Sequence, residues 1–161
     1  MKIIITGATG FVGKNLTQYL THKSDKVLSL SIRNDDYQLD NTADAIIHLA
    51  GKAHDTKNTS EESDYYQINT ELTKVLFDKF LQSDIKDFIF FSSVKAAADS
   101  VEGALTEDSK ANPQTAYGKS KLKAETYLLS KQLPSNKRLI IIRPCMIHGE
   151  GNKGNLNLLY Q

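Results

Sequence analysis

Tyr117 and Lys121, in the run YGKSK, are the pair in this sequence best suited to moving a proton. Four positions apart on a helix they share a face, where an ammonium can stabilise a phenolate and draw the tyrosine's ordinary pKa of about 10 towards neutrality. Such a tyrosine can exchange a proton with a substrate hydroxyl as a hydride leaves or arrives. Spacing alone does not select this pair, because Tyr19/Lys23 and Tyr127/Lys131 repeat it. Position does. Tyr19 falls near the far end of the first helical segment, and Tyr127 lies about 15 Å beyond Tyr117 along the same helix. Tyr117 sits near a helix start, after a loop leaving an apolar run that ends Phe91-Ser92-Ser93.

A second constellation opens the chain. In ITGATGFVG, Gly7, Gly10 and Gly13 recur every three residues directly behind the apolar run KIII. Clustered glycine is unfavourable unless the backbone must turn tightly or something must lie against it. Both needs arise where a buried strand turns straight into a helix whose first N–H groups can receive a phosphate. Gly7 is then expected to make the turn, Gly10 to let a pyrophosphate approach, and Gly13 to let the helix pack against the strand. The expected ligand is a dinucleotide.

The elements that must position these groups alternate along the chain. Short apolar, β-branched runs at 2–5, 27–32, 45–49, 88–91 and 139–142 are read as strands. Helical patterns at 11–22, about 61–82 and about 115–132 lie between them. That alternation predicts an α/β fold, a Rossmann-like doubly wound parallel sheet. The segment 33–44 is polar and too short for a strand plus a helix, so a third strand is expected to be missing or vestigial. The stretch VEGALTEDSKANPQ is a polar loop that Asn112-Pro113 closes before the next helix. In open sheets of this kind ligands gather at the carboxyl ends of the strands, where Ser93 and the glycine turn both fall.

A length of 161 residues suits one domain, 1–161, with a core of its own. Twenty Lys+Arg against 19 Asp+Glu leave no excess charge to suggest nucleic acid or an anionic membrane. Cys145 is the sole cysteine, so no intrachain disulfide can form, in keeping with a reducing compartment. One lysine and three isoleucines ahead of Thr6 resemble neither a secretory leader nor a membrane span, and a cytoplasmic protein is expected. No metal site is expected, and His48 and Cys145 are read as core residues. A helix beginning at Leu156 is cut off at Gln161, so the sequence reads as the cofactor half of something longer.

In order and approximate spacing, TGATGFVG, HLAG at 48–51, Asn69, FIFFSS ending at Ser93, YGKSK and RPCMIHGEG resemble the extended short-chain dehydrogenase/reductases. These are the NAD(P)-dependent nucleotide-sugar epimerases and dehydratases, and the resemblance covers essentially the whole chain. HLAGKAH and SSVK, followed by TEDSKANPQTAYGKSKLKAE, look like the UDP-N-acetylhexosamine 4-epimerases and 4-keto-sugar reductases of bacterial surface polysaccharide synthesis. The resemblance implies NAD or NADP as cofactor and a nucleotide-sugar substrate, UDP-linked, with a homodimer as an open alternative to a monomer. It also implies Tyr117 as acid/base on the sugar 4-hydroxyl, Ser93 as hydrogen-bond partner of the same oxygen, and Lys121 on the nicotinamide ribose. Gly7, Thr9, Gly10, Phe11, Val12, Gly13 and Pro144 would complete the cofactor seat. Leu49, Ala50 and Gly51 would line its nicotinamide side, with Asn69 as a support.

Departures from the pattern matter. The related dehydratases carry Asp-Glu directly after the hydroxyl residue, and here Val94 and Lys95 stand there, so oxidation or reduction at C4 is favoured over loss of water. Where an acidic residue ordinarily ends strand two, IRNDD leaves a choice: Arg33 for a 2′-phosphate, or Asp35 or Asp36 for a ribose hydroxyl. The C-terminal substrate lobe is absent from the sequence, so the chain is expected to bind cofactor without turning over by itself. A non-catalytic dinucleotide-binding module is the alternative function.

Overall fold

A computed structural model describes residues 1–34, 36–53, 61–100, 103–106, 108–149 and 151. Asp35, which the sequence offered as a ribose ligand, lies outside the described residues, as do parts of the polar loop and the helix expected from Leu156. Five strands form one parallel sheet: β1 (Lys2–Thr6), β2 (Lys26–Leu30), β3 (Ala45–His48), β4 (Asp87–Phe91) and β5 (Arg138–Ile142), in the order β2-β1-β3-β4-β5. The order reverses at β1, which is where an open parallel sheet leaves a crevice at its carboxyl edge. Among the described residues no strand lies between β2 and β3, so the abbreviated crossover leaves β2 at the edge.

Helix α1 (Phe11–His22) covers one face, where Ile3, Ile5 and Ile47 meet Leu16 and Leu20. The other face is covered by α3 (Leu72–Gln82) and α4 (Ala116–Ser130). There Ile4, Ile46, Phe88 and Phe90 pack with Leu76, Phe77, Phe80, Ala124 and Leu128, all at most 2 % exposed. β3 is buried at all four positions, as a central parallel strand covered on both faces must be. Observed ends differ from the expected ones by a residue or two. The largest shift is in β2, which stops at Leu30 and leaves Ile32 in the core from outside the strand.

The segment expected as one helix over 61–82 is three pieces. A short α2 (Glu62–Tyr65) runs into a π-helical turn (Tyr66–Glu71) and then into α3. One wide turn brings Asn69 and Thr70 to full burial together, facing α4. π turns of this kind concentrate where a helix must place a particular side chain.

Candidate active site

The glycine turn is built as its sequence suggests, with one change of partner. Gly7 has φ +73°, and a Cβ there would stand 2.7 Å from the Ala50 backbone nitrogen, so both conformation and space require glycine. A Cβ on Gly13 would collide with the Gly7 carbonyl oxygen and come 2.7 Å from Ala8 Cα. Gly13 therefore lets α1 close on the turn itself rather than on the strand. Gly10 is different. A Cβ there would meet one neighbour, the Gly7 carbonyl oxygen at 3.3 Å, a tight contact but a much milder one than those at Gly7 and Gly13. It is the N-cap of α1, with no side-chain cap and no acidic residue in the first turn. The helix N-terminus thus keeps its positive end open, the condition an anion requires. The chain's own contacts leave room on Gly10 for a pyrophosphate, and the residues fit the dinucleotide read from the sequence.

Opposite the turn, α1, α4 and the segments that follow β3, β4 and β5 converge on a cleft of about 270 Å³ whose walls include Val12, Leu49, Gly51, Ser93, Tyr117, Lys121 and Pro144. Ala50 sits beneath the turn rather than in the cleft wall, its N–H donating to Thr6 Oγ1 at 3.2 Å. Thr9 is exposed on the turn and Phe11 opens α1 half-buried. Arg33 and Asp36 are exposed beyond the end of β2 and line no part of this cleft.

Ser93 ends the segment after β4 and Tyr117 begins the first turn of α4. Three contacts register them. Thr115 caps α4, its Oγ1 accepting from the Gly118 N–H. Asp99 accepts from the Gln114 and Thr115 backbone N–H groups at 2.6 and 3.1 Å and from the Thr115 hydroxyl at 2.9 Å. Gly118 lies so close to Lys95 that a Cβ would strike its carbonyl oxygen. The start of α4 is thereby fixed on the 3₁₀ turn Val94–Ala96. Ser93 Oγ accepts from the Lys95 N–H at 3.2 Å and also hydrogen-bonds the Tyr117 hydroxyl. Capping the turn and meeting the tyrosine are thus combined in one serine.

Asp99 was not singled out from the sequence, since a carboxylate in a polar loop gives no sign of its partners. Burial pushes its acid up, and the hydrogen bonds from Gln114 and Thr115, with Lys95 nearby, outweigh that and hold it below the usual carboxylate range. A carboxyl depressed in the folded state stabilises the fold above its unfolded pKa of about 3.9, and the contribution fades as pH falls through the lower folded value. Asp99→Ala leaves two N–H groups without their acceptor and is expected to lower the unfolding free energy by about 2 kcal/mol at pH 7. Urea denaturation at pH 7 and below pH 3 checks this: the gap between wild type and variant should narrow at the acid end.

Burial also governs Tyr117 and Lys121, and here the structure corrects the expectation. Tyr117 is pushed above the ordinary tyrosine value by burial, with Tyr65, its edge-on neighbour at 6.3 Å, acting the same way and the Ser93 hydrogen bond opposing. Lys121 does not draw it down. The Lys121 ammonium turns instead to the Phe91 carbonyl oxygen at 2.9 Å and lies 4.9 Å from the centre of the Phe90 ring. Removal from water lowers it to about 8. The two other Tyr/Lys repeats are surface pairs, Lys23 lying 5.8 Å from the centre of the Tyr19 ring and Lys131 4.3 Å from that of Tyr127. Cys145 is likewise corrected from core residue to exposed: β5 ends at Ile142, and Pro144 carries the chain out along the cleft.

His48 is fully buried and joins the two constellations. The Thr73 hydroxyl donates to the Asn69 carbonyl at 2.8 Å, so it must accept from His48 Nε2–H, which lies 2.8 Å away. That leaves His48 Nδ1 to accept from the Thr6 hydroxyl at 2.6 Å. The ring is neutral, burial first and then the Lys121 charge lowering its pKa to about 3. The Asn69 side chain carries the chain of bonds onward: Oδ1 accepts from the Lys52 N–H, while Nδ2 donates to the Lys52 carbonyl and to Ser120 Oγ. Among the described residues no cluster of three His, Cys, Asp or Glu could hold a metal ion, and no helix is long and apolar enough to cross a membrane.

The family model described as NAD dependent epimerase/dehydratase matches residues 3–159. A UDP-glucose 4-epimerase of Vibrio cholerae is 35% identical over 180 residues, covering 95% of this chain and 54% of that protein. Of solved structures, a dTDP-4-dehydrorhamnose reductase from Clostridium acetobutylicum superposes with a TM-score of 0.81 at 25% identity, over 99% of this chain and 59% of that one. RMD from Pseudomonas aeruginosa complexed with NADPH superposes with a TM-score of 0.71 at 25% identity, over 89% and 53%. The chain spans about half the length of the curated relatives it matches. Matched almost from end to end, and folded as a parallel sheet with its glycine turn at the carboxyl edge, this chain belongs to the NAD dependent epimerase/dehydratase family.

Proposed function

We propose that this chain is the cofactor-binding part of a nucleotide-sugar 4-epimerase or 4-keto-sugar reductase that uses NAD or NADP. The observation that carries the reading is the cleft in which the α1 N-terminus and Ser93 meet Tyr117 and Lys121 of α4, so that three separate elements converge on one place. A nicotinamide held there would supply the hydride chemistry at the sugar carbon. The chain's own residues do the rest.

Gly10 and the first N–H groups of α1 hold the pyrophosphate. Leu49, Gly51 and Pro144 wall the nicotinamide end, and Lys121 offers its ammonium to the ribose. Tyr117 moves the proton of the sugar hydroxyl, oriented by Ser93, whose Oγ already hydrogen-bonds its phenol. Neither Val94 nor Lys95 supplies the acid and base that removal of water needs, and the Lys95 ammonium is engaged by Asp99. The relatives named as 4-epimerase and as 4-dehydro-sugar reductase support redox chemistry at C4 and a diphosphate-linked sugar as substrate.

Titration with NAD(H) and NADP(H) tests the reading. Thermal stabilisation is expected with at least one of the two, as mass action requires of a ligand that binds only the folded chain. Gly10→Val should abolish it while the cofactor-free chain still folds, with a modest fall in its melting temperature from the tight Gly7 carbonyl contact and the poorer N-cap. No stabilisation of the folded wild type by either dinucleotide would overturn the proposal.

A further inference from the structure

Tyr117 and Lys121 are the first two members of a longer stripe. Glu125 is the third, again four residues on, so all three share one face of α4. Its side chain is 1 % exposed, and a carboxylate so removed from water needs a counter-charge. Arg143 provides one, its Nε lying 3.0 and 3.2 Å from the two Glu125 oxygens. Arg143 stands one residue past β5 and directly before Pro144 of the cleft wall. The carboxylate is buried while the Arg143 side chain keeps about a third of its surface in water, 32% against 1%, and burying a charge in this way is weak as a stabilising device.

What the pair faces is Lys121. Its ammonium is surrounded by groups without charge: His48 from β3 is neutral, Asn69 from the π turn is an amide, and β4 offers only Phe90 and the Phe91 carbonyl. Tyr117 on its own helix is a protonated phenol. Lys52, beyond Gly51, is paired with Asp64 at 3.0 Å. Among the described residues Glu125 is the one carboxylate that acts on Lys121, opposing the effect of burial.

We propose that Glu125 is a positioning residue of the site, keeping Lys121 an ammonium, and that Arg143 limits how strongly it does so. The inference rests on the reading of Lys121 as a cofactor-binding group. Because one partner attracts the ammonium's proton and the other shares that attraction away, removing them has opposite consequences. Loss of Glu125 takes away the carboxylate that acts on Lys121; loss of Arg143 leaves that carboxylate unshared.

The test follows the Lys121 Cε resonance by NMR in 13C-lysine-labelled, cofactor-free chain, the signal being assigned by its loss in Lys121→Met. With burial lowering its pKa to about 8, wild-type Lys121 is expected to titrate there. Glu125→Gln should lower its pKa by about one unit, the usual effect of losing a close opposite charge. Arg143→Met should raise it, and Glu125→Asp should leave it near wild type. Shifts of Glu125→Gln and Arg143→Met in the same direction, or a Glu125→Asp shift as large as that of Glu125→Gln, overturn the proposal. Should Glu125→Gln not fold, the double substitution Glu125→Gln/Arg143→Met is read instead: a Lys121 pKa below wild type upholds the role of Glu125, and an unchanged one overturns it. Dinucleotide titration of the same wild-type sample reports separately on the cofactor reading, so either can fail while the other stands.

Discussion

In a chain long enough to carry a substrate-binding lobe, Tyr117→Phe is expected to lower the rate of 4-epimerisation or 4-keto reduction by ~10²–10⁴-fold, the range typical of lost acid/base catalysis. The substitution keeps the ring and its edge contact with Tyr65 and removes the hydroxyl, with its transferable proton and its bond to Ser93. Dinucleotide affinity should change little, so a fall in kcat at unchanged cofactor Kd is the signature. The phenol's raised pKa adds a check on the cofactor-free chain: absorbance titration should find no Tyr117 phenolate at neutral pH. An unaltered rate in the variant would remove Tyr117 from the chemistry altogether.

Gly7→Val should be the most damaging single change to the fold of the turn. The Cβ would run into the Leu49–Ala50 peptide, the Ala50 nitrogen at 2.7 Å and both Ala50 Cα and the Leu49 carbonyl carbon at 2.9 Å, and this backbone cannot swing aside. Left-handed φ adds its own penalty, and together with overpacking the cost should be ~2–5 kcal/mol. Gly103→Ala serves as the control, because Gly103 has φ +90° and nothing within 4 Å of its added Cβ. It should show the conformational part of the cost alone. Equal melting temperatures for the two variants would mean that β3 gives way to accommodate a side chain at the turn.

Much of this architecture is legible in the sequence, and the reason differs by element. The parallel sheet follows from the alternation of buried runs such as AIIH with helical segments, and the missing third strand from the brevity of 33–44, whereas the strand order is set by which crossovers pack together and is seen only in the fold. Gly7 and Gly13 could be read because a positive φ and a close approach each leave glycine as the workable residue. The Ser93–Tyr117 meeting was readable from position, since strand ends and helix starts share one edge of such a sheet. The π turn was not, because widening a helix by one residue leaves no mark in its apolar period. Asp99, Glu125 and Arg143 escaped for a related reason: a charged residue looks solvated until its partner, 15 to 18 residues away, is known. The direction of the Tyr117 pKa depends on how much water the cleft excludes, which spacing cannot express.

The bonds running from Thr6 through His48 and Thr73 to Asn69 and Ser120 cross from β1 to α4 without leaving the interior. Each member has spent its protons and lone pairs on the next, so no link can open without stranding a buried polar group. The glycine turn and α4 consequently breathe together or not at all. Their amides should exchange with solvent as one slow unit, and whatever motion admits and releases ligands falls to the segments outside that unit.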